Sequence, residues 1–167
     1  YSVVVGNAAG SVTSADATLT VTSGSLRFTA GSIGGGLASQ VVVPVKINGF
    51  TNIVSFQYSM HWNTNVVVFK GVEQFGLDGL TAGSFGVTSA TNGTLRVSWD
   101  DPAALGKSLS DGTTVFGVRF ELIGDIGTSS AVTIDGTPTS MEGALASGGQ
   151  IQAASIAAQA GQVTSNP

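Results

Sequence analysis

The stretch from Ile53 to Trp62 reads IVSFQYSMHW. From Ser55 onward it alternates without a break, with Ser55, Gln57, Ser59 and His61 on one side and Phe56, Tyr58, Met60 and Trp62 on the other. Successive side chains of a β-strand point to opposite faces, so this is a strand with one dry face and one wet face. A slip of one residue would expose all four large side chains, so its register is tightly specified. Other strands must cover the dry face. The wet face is the best-defined surface the sequence offers.

Two later runs alternate in the same way. Thr94 to Trp99 sets Leu95, Val97 and Trp99 inward and Arg96 and Ser98 outward, and Val115 to Leu122 sets Phe116, Val118, Phe120 and Leu122 inward. The predicted core therefore unites Phe56, Tyr58, Met60, Trp62, Leu95, Val97, Trp99, Phe116, Val118 and Phe120 between two sheets. Further strands are expected at Ser25 to Ala30, Gln40 to Asn48, Val66 to Val72, Ser84 to Ala90 and Ala131 to Ile134. Pro44 has no N–H to give a ladder, which predicts an edge strand or a bulge there. Gly31 to Ser39 reads as a glycine-rich turn, Phe75 to Leu80 as a single helical turn, and Thr91-Asn92-Gly93 as a hairpin turn. Beyond Thr137 the composition thins to Ala, Ser, Gly and Gln, which predicts weak strands near Gln150 to Ile156 and a linker-like tail over 157–167. No sustained helical period appears. Short strands at regular spacing mean an all-β, two-sheet sandwich of about nine strands.

The composition supports this class. Charged residues make up only 10% of the 167, and glycine alone counts 24. Such a mix favours turns and short strands over salt-bridged helices. The net charge of −4 with no basic run argues against nucleic acid. No apolar run is long enough for membrane insertion as a helix. The chain has no cysteine, so no disulfide framework fixes its compartment.

Residues 1–21 read as a separate β-hairpin around Gly6-Asn7-Ala8-Ala9-Gly10. Tyr1, Asn7 and Gly10 resemble the last two strands of an immunoglobulin-like domain, with Val3 where that family carries its second cysteine. The resemblance implies a chain that starts inside such a domain and is an excised piece of a longer protein. Residues 25–156 then form the main sandwich, after a linker at Thr22 to Gly24. A hairpin of two strands is marginal alone, so its apolar set (Val3, Val5, Leu19 and Val21) is expected to pack on something. A homodimer in which a second hairpin completes the missing sheet is the expectation.

The run from about Gln40 to Gly136 resembles a cohesin domain. The residues that carry the likeness are Val43-Pro44-Val45, Asn52-Ile53 through Trp62 to Val66, Trp99-Asp100-Asp101, Asp111-Gly112, and Val115 to Phe120. The resemblance implies a flattened jelly-roll sandwich that binds dockerins, small calcium-loaded modules, on a larger extracellular or cell-surface protein. By position, the dockerin face would use Ser55, Gln57, Ser59, Arg96 and Ser98. Dockerin-binding members usually carry Asn and Asp near the start of the central strand. Ser55 and Gln57 stand there instead, which removes a charged acceptor.

Chemistry of other kinds finds little footing. His61 is the only histidine. It could recruit Ser59 or Ser98, but nothing in the sequence supplies an oxyanion hole, and a solvated strand histidine is the better reading. Asp100 and Asp101 look like a carboxylate pair, yet adjacent strand residues face opposite ways, so a loop cap before Pro102 is expected. Asp111, Asp125 and Asp135 lie in turn-like stretches with no calcium-loop run, so no metal and no cofactor is expected. A carbohydrate-binding module is the alternative reading, with polysaccharide as ligand, and a structural spacer is the second. Sugar binding needs exposed aromatic platforms, whereas both tryptophans fall on predicted core faces.

Overall fold

The computed structural model describes residues 2–15 and 25–167. The second half of the expected hairpin, with Leu19 and Val21, and the linker at Thr22 to Gly24 lie outside the described residues. At the N-terminus β1 (Val4–Asn7) pairs with β2 (Gly10–Thr13) as a two-stranded sheet of its own. Every described residue of that hairpin is exposed.

The sandwich is built from β3 (Ser25–Ala30), β4 (Ile33–Gly36), β5 (Gln40–Asn48), β6 (Ile53–His61), β7 (Val67–Glu73), β8 (Phe85–Gly86), β9 (Thr94–Asp100), β10 (Thr114–Leu122), β11 (Ser129–Asp135), β12 (Glu142–Ser147), β13 (Gln150–Gln159) and β14 (Gly161–Asn166). One layer runs β3-β5-β10-β7. The other centres on β6, with β9 and then β8 on one side and β11 and β12 on the other. The first half of β13 pairs with β12 and its second half runs parallel to β3, so it stitches the two layers together.

All ten residues of the predicted core are buried. Phe28 packs between Phe56 and Tyr58 with both ring centroids at 4.8 Å, and Phe56 stacks on Trp99 at 5.4 Å. Trp62 lies between Phe69 and Phe120. The indole of Trp99 donates to the Asp78 carbonyl at 3.0 Å, so this buried N–H has its partner.

Pro44 does not mark an edge, because β5 lies between β3 and β10. Its carbonyl accepts the Gly31 N–H at 2.8 Å, on the side of β3. In an antiparallel strand N and O of one residue face the same neighbour, so the proline nitrogen also points past the end of β3, whose last pair is Ala30 with Val45. The bulge is in the partner, between Thr114 and Phe116 of β10.

Five other expectations are corrected. The glycine-rich stretch contains β4, which runs parallel to β14. The segment 157–167 is not a tail: β14 pairs with both β11 and β4 and buries Val163. Its start is a glycine because a Cβ at Gly161 would run into the Gly31 carbonyl. Phe75 to Leu80 forms turns without a helix, although Leu77 and Leu80 are buried. The expected strand at Ser84 to Ala90 is reduced to β8, and Ala90–Asn92 winds into a short 3-10 helix. That helix stops at Gly93, with φ 78°, where a Cβ would meet the Trp62 carbonyl at 2.5 Å. The strand count therefore exceeds nine.

Candidate functional site

The outer face of the β6 layer gathers the predicted site residues in register. Gln57 pairs with Ser98, Ser59 with Arg96, and Ser55 with Asp100. On the other flank Gln57 pairs with Glu142, Ser55 with Ala144, and Ser59 with Asp135. Paired residues share a face, so the alternation of β6 carries all of them to one side. At the far edge Gly86 of β8 lies opposite Arg96, leaving the arginine stem uncovered by any side chain there.

Four of the five predicted residues are at least partly accessible, and Ser59 is not. Ser59 is fully buried, and its hydroxyl accepts the Thr139 N–H at 3.1 Å. The cover is the excursion between β11 and β12. These two strands lie end to end along the same side of β6, and the chain leaves the sheet at Gly136 and returns at Met141. Thr139 of that excursion lines an open trough with Ser84, Arg96, Ser98 and Asp100.

His61 is held, where the sequence reading expected it solvated. Nε2 donates to the Thr137 carbonyl at 2.7 Å and lies 3.2 Å from Asp135 Oδ1, while Nδ1 faces the Thr94 hydroxyl at 3.2 Å. Asp135 Oδ1 in turn accepts the Thr137 N–H at 2.9 Å. The imidazole therefore ties the excursion to β6. The hydrogen bonds of His61 go to Thr94, Asp135 and Thr137, and none among the described residues joins it to Ser59 or Ser98.

The two aspartates part as strand geometry requires. Asp100 is exposed on the outer face, and Asp101 is buried. The Asp101 carboxylate accepts the N–H groups of Ala103, Leu105 and Gly106 at 3.3, 3.2 and 2.9 Å, the loop cap that Pro102 suggested. Lys107, just beyond, pairs with Asp78 at 3.0 Å, and that hydrogen bond and charge hold its ammonium above the usual lysine range. Among the described residues no group of three His, Cys, Asp or Glu side chains converges as a metal site would require.

Two acidic residues of this face escaped the sequence reading. Asp100 continues the outward series of Arg96 and Ser98, and Glu142 sits beside Gln57, whose amide donates to it at 3.2 Å. Each strand beside β6 thus carries one carboxylate on this face. Asp100 was within reach of the alternation. Glu142 was not, because nothing local says which strand lies beside β6. Both tryptophans are in the core, at 7% and 2% exposure, so neither serves as a sugar platform.

A cohesin domain model matches residues 26–156. No curated protein matches the chain. Among solved structures, the sixth cohesin of Acetivibrio cellulolyticus scaffoldin B, in complex with a Cel5 dockerin mutant, aligns with a TM-score of 0.70 at 18% identity, covering 84% of this chain and 99% of that one. The seventh ScaB type I cohesin of Pseudobacteroides cellulosolvens aligns at 0.69 and 14% identity, covering 84% and 91%. A non-cellulosomal cohesin from the archaeon Archaeoglobus fulgidus aligns at 0.63 and 25% identity, covering 83% and 89%.

Proposed function

The chain belongs to the cohesin family, and on that premise we propose that it is a non-catalytic module that binds a dockerin through the outer face of β6 and β9. The observation that carries this reading is the family match over residues 26–156. The polar surface of Ser55, Gln57, Arg96, Ser98, Asp100 and Glu142 supplies hydrogen-bonding groups of both kinds and both signs of charge. A module of this kind would work outside the cell or at its surface, on a larger protein. Among the described residues no helix is long and apolar enough to cross a membrane.

The test is calorimetry against calcium-loaded dockerins of several types. Binding at one-to-one stoichiometry is expected for at least one, and Gln57→Ala with Arg96→Ala should weaken it by about tenfold. Failure of all of them against the folded protein overturns the reading. Unchanged affinity in the double variant rejects this face.

The hairpin is proposed to pair with a second copy of the chain. Val5 and Val12 lie directly opposite each other and are both exposed, and two isolated strands are marginal in water. Light scattering decides this. A chain beginning at Ser25 should be monomeric where the full chain is dimeric, and equal masses would exclude the hairpin as the cause.

A further inference from the structure

Leu105 is the most exposed large apolar side chain among the described residues, at 78%. It does not hang on a slack loop. Asp101 grips the backbone at Ala103, Leu105 and Gly106. Lys107 and Ile53 exchange backbone hydrogen bonds at 2.8 and 2.9 Å. Ala104 takes φ 51°, a left-handed conformation that alanine adopts at a cost. A buried carboxylate and a strained residue thus fix a leucine in water, where it contributes nothing to the core.

A second exposed aliphatic residue stands beside it. On β12, Glu142 pairs with Gln57 and Ala144 with Ser55, so Ala146, two residues on, keeps to the same outer face. Ile151 pairs with Ala146 and is 55% exposed. Ile151 therefore belongs to the candidate face. Leu105, Ala146 and Ile151 line one hollow of about 370 Å³ at the edge of that face. The neighbouring charge is negative. Asp100 and Glu142 flank Ser55 and Gln57, whereas the cation at this end, Lys107, is engaged with Asp78.

We propose that Leu105 and Ile151 form the apolar anchor of the docking face, receiving one aliphatic side chain of a dockerin that also carries a basic residue for Asp100 of the same face. This rests on the dockerin reading and deepens it. The hollow also presents Asn52, Ser147 and Gln150, and exposed aliphatic side chains set among polar groups are how interfaces concentrate affinity and choose partners.

Two measurements test it. In the first, isobutanol, a mimic of an aliphatic side chain, is titrated into the protein and followed by methyl NMR. Saturable shifts are expected at Leu105, Ala146 and Ile151, and their loss in Leu105→Ser. Shifts spread evenly, or gathered elsewhere, overturn the anchor. In the second, a dockerin that binds the parent chain should lose about tenfold or more in affinity for Leu105→Ser with Ile151→Ser. Val87→Ser, at an exposed apolar position elsewhere, should leave it unchanged. Equal affinity for the double variant and the parent overturns the proposal. If no dockerin binds the parent chain, the dockerin reading falls, and the isobutanol titration alone decides whether the anchor exists.

Discussion

One backbone, β6, makes two surfaces that are governed by different physics. Its inner side chains, Phe56, Tyr58, Met60 and Trp62, are buried against rings and aliphatic groups from both layers. Their contribution follows volume and area and tolerates no polar intruder. Three of its four outer side chains are engaged with particular neighbours. Gln57 meets Glu142, Ser59 meets Thr139, and His61 meets Thr94, Asp135 and Thr137. The inner face thus holds the domain together, and the outer face shapes a surface without carrying much of the stability. That division permits a binding face to change while the fold persists.

Truncating the inner face should break this division most severely. Phe56→Ala leaves a cavity between Phe28, Phe50 and Trp99 and should cost about 3–5 kcal/mol, measured by urea unfolding. A loss below about 1 kcal/mol would mean that the core collapses around the gap. The largest effect expected near the outer face comes from Asp101→Ala, which strips three backbone N–H groups of a buried acceptor and should cost about 2–3 kcal/mol. Asp100→Ala, one residue away but exposed, should change stability by less than about 0.5 kcal/mol. Equal costs for the two aspartates would erase the distinction between them.

The same division explains what could be read from the chain. The inner face was legible residue by residue, because a large apolar side chain in an alternating strand is buried whatever covers it. Phe56, Trp99 and Phe120 needed no knowledge of their neighbours. The outer face was legible only in outline. Ser59 looks as available as Ser55, and only the return of the chain at Thr139 buries it. Glu142 joins the site through strand pairing across 85 residues of sequence. Among the strands that went unread, β4 and β14 are made mostly of Gly, Ser, Thr, Gln and Asn, and β12 is a short run of small residues around one leucine, so no hydrophobic period announces them. The packing of β4 and β14 leaves no room for a Cβ at three glycines, where it would meet the Asn166 side chain at Gly34, the Ser39 and Val41 side chains at Gly35, and the Gly31 and Ala30 carbonyls at Gly161.

A subtler probe of the inner face is one of its two unpaired polar groups, the other being the indole N–H of Trp62. The Tyr58 hydroxyl is buried with no hydrogen-bond partner, and burial raises its pKa well above the usual tyrosine value. Tyr58→Phe removes the unpaired group and keeps the ring, so it should stabilise the domain by about 1 kcal/mol, or about 2–4 °C in Tm. The folded state holds the phenol proton more tightly than the unfolded chain does. Stability from this group is therefore complete below the unfolded pKa of about 10 and is lost as pH rises beyond it. Tyr58→Phe should flatten that alkaline decline. A steeper decline, or a lower Tm at neutral pH, would mean that the hydroxyl finds a partner in solution.

The smallest expected effect lies on the outer face itself. Gln57 contributes one exposed side-chain hydrogen bond, to Glu142 at 3.2 Å. Arg96 is exposed and makes no ion pair among the described residues. Asp100 lies four residues along the same strand, about 13 Å away at the usual strand rise, beyond the Debye length of about 8 Å at physiological salt. Replacing both Gln57 and Arg96 by Ala removes no buried partner and opens no cavity. Alanine forms strands less readily than glutamine or arginine by only a few tenths of a kcal/mol. The sum should stay below about 0.5 kcal/mol, a shift of no more than about 2 °C in Tm by calorimetry. The same double variant is the one expected to lose partner affinity, so the two readouts together separate surface from scaffold. A Tm drop of 5 °C or more would show that the outer face also carries the fold, and any loss of affinity in that variant could no longer be assigned to contact with a partner.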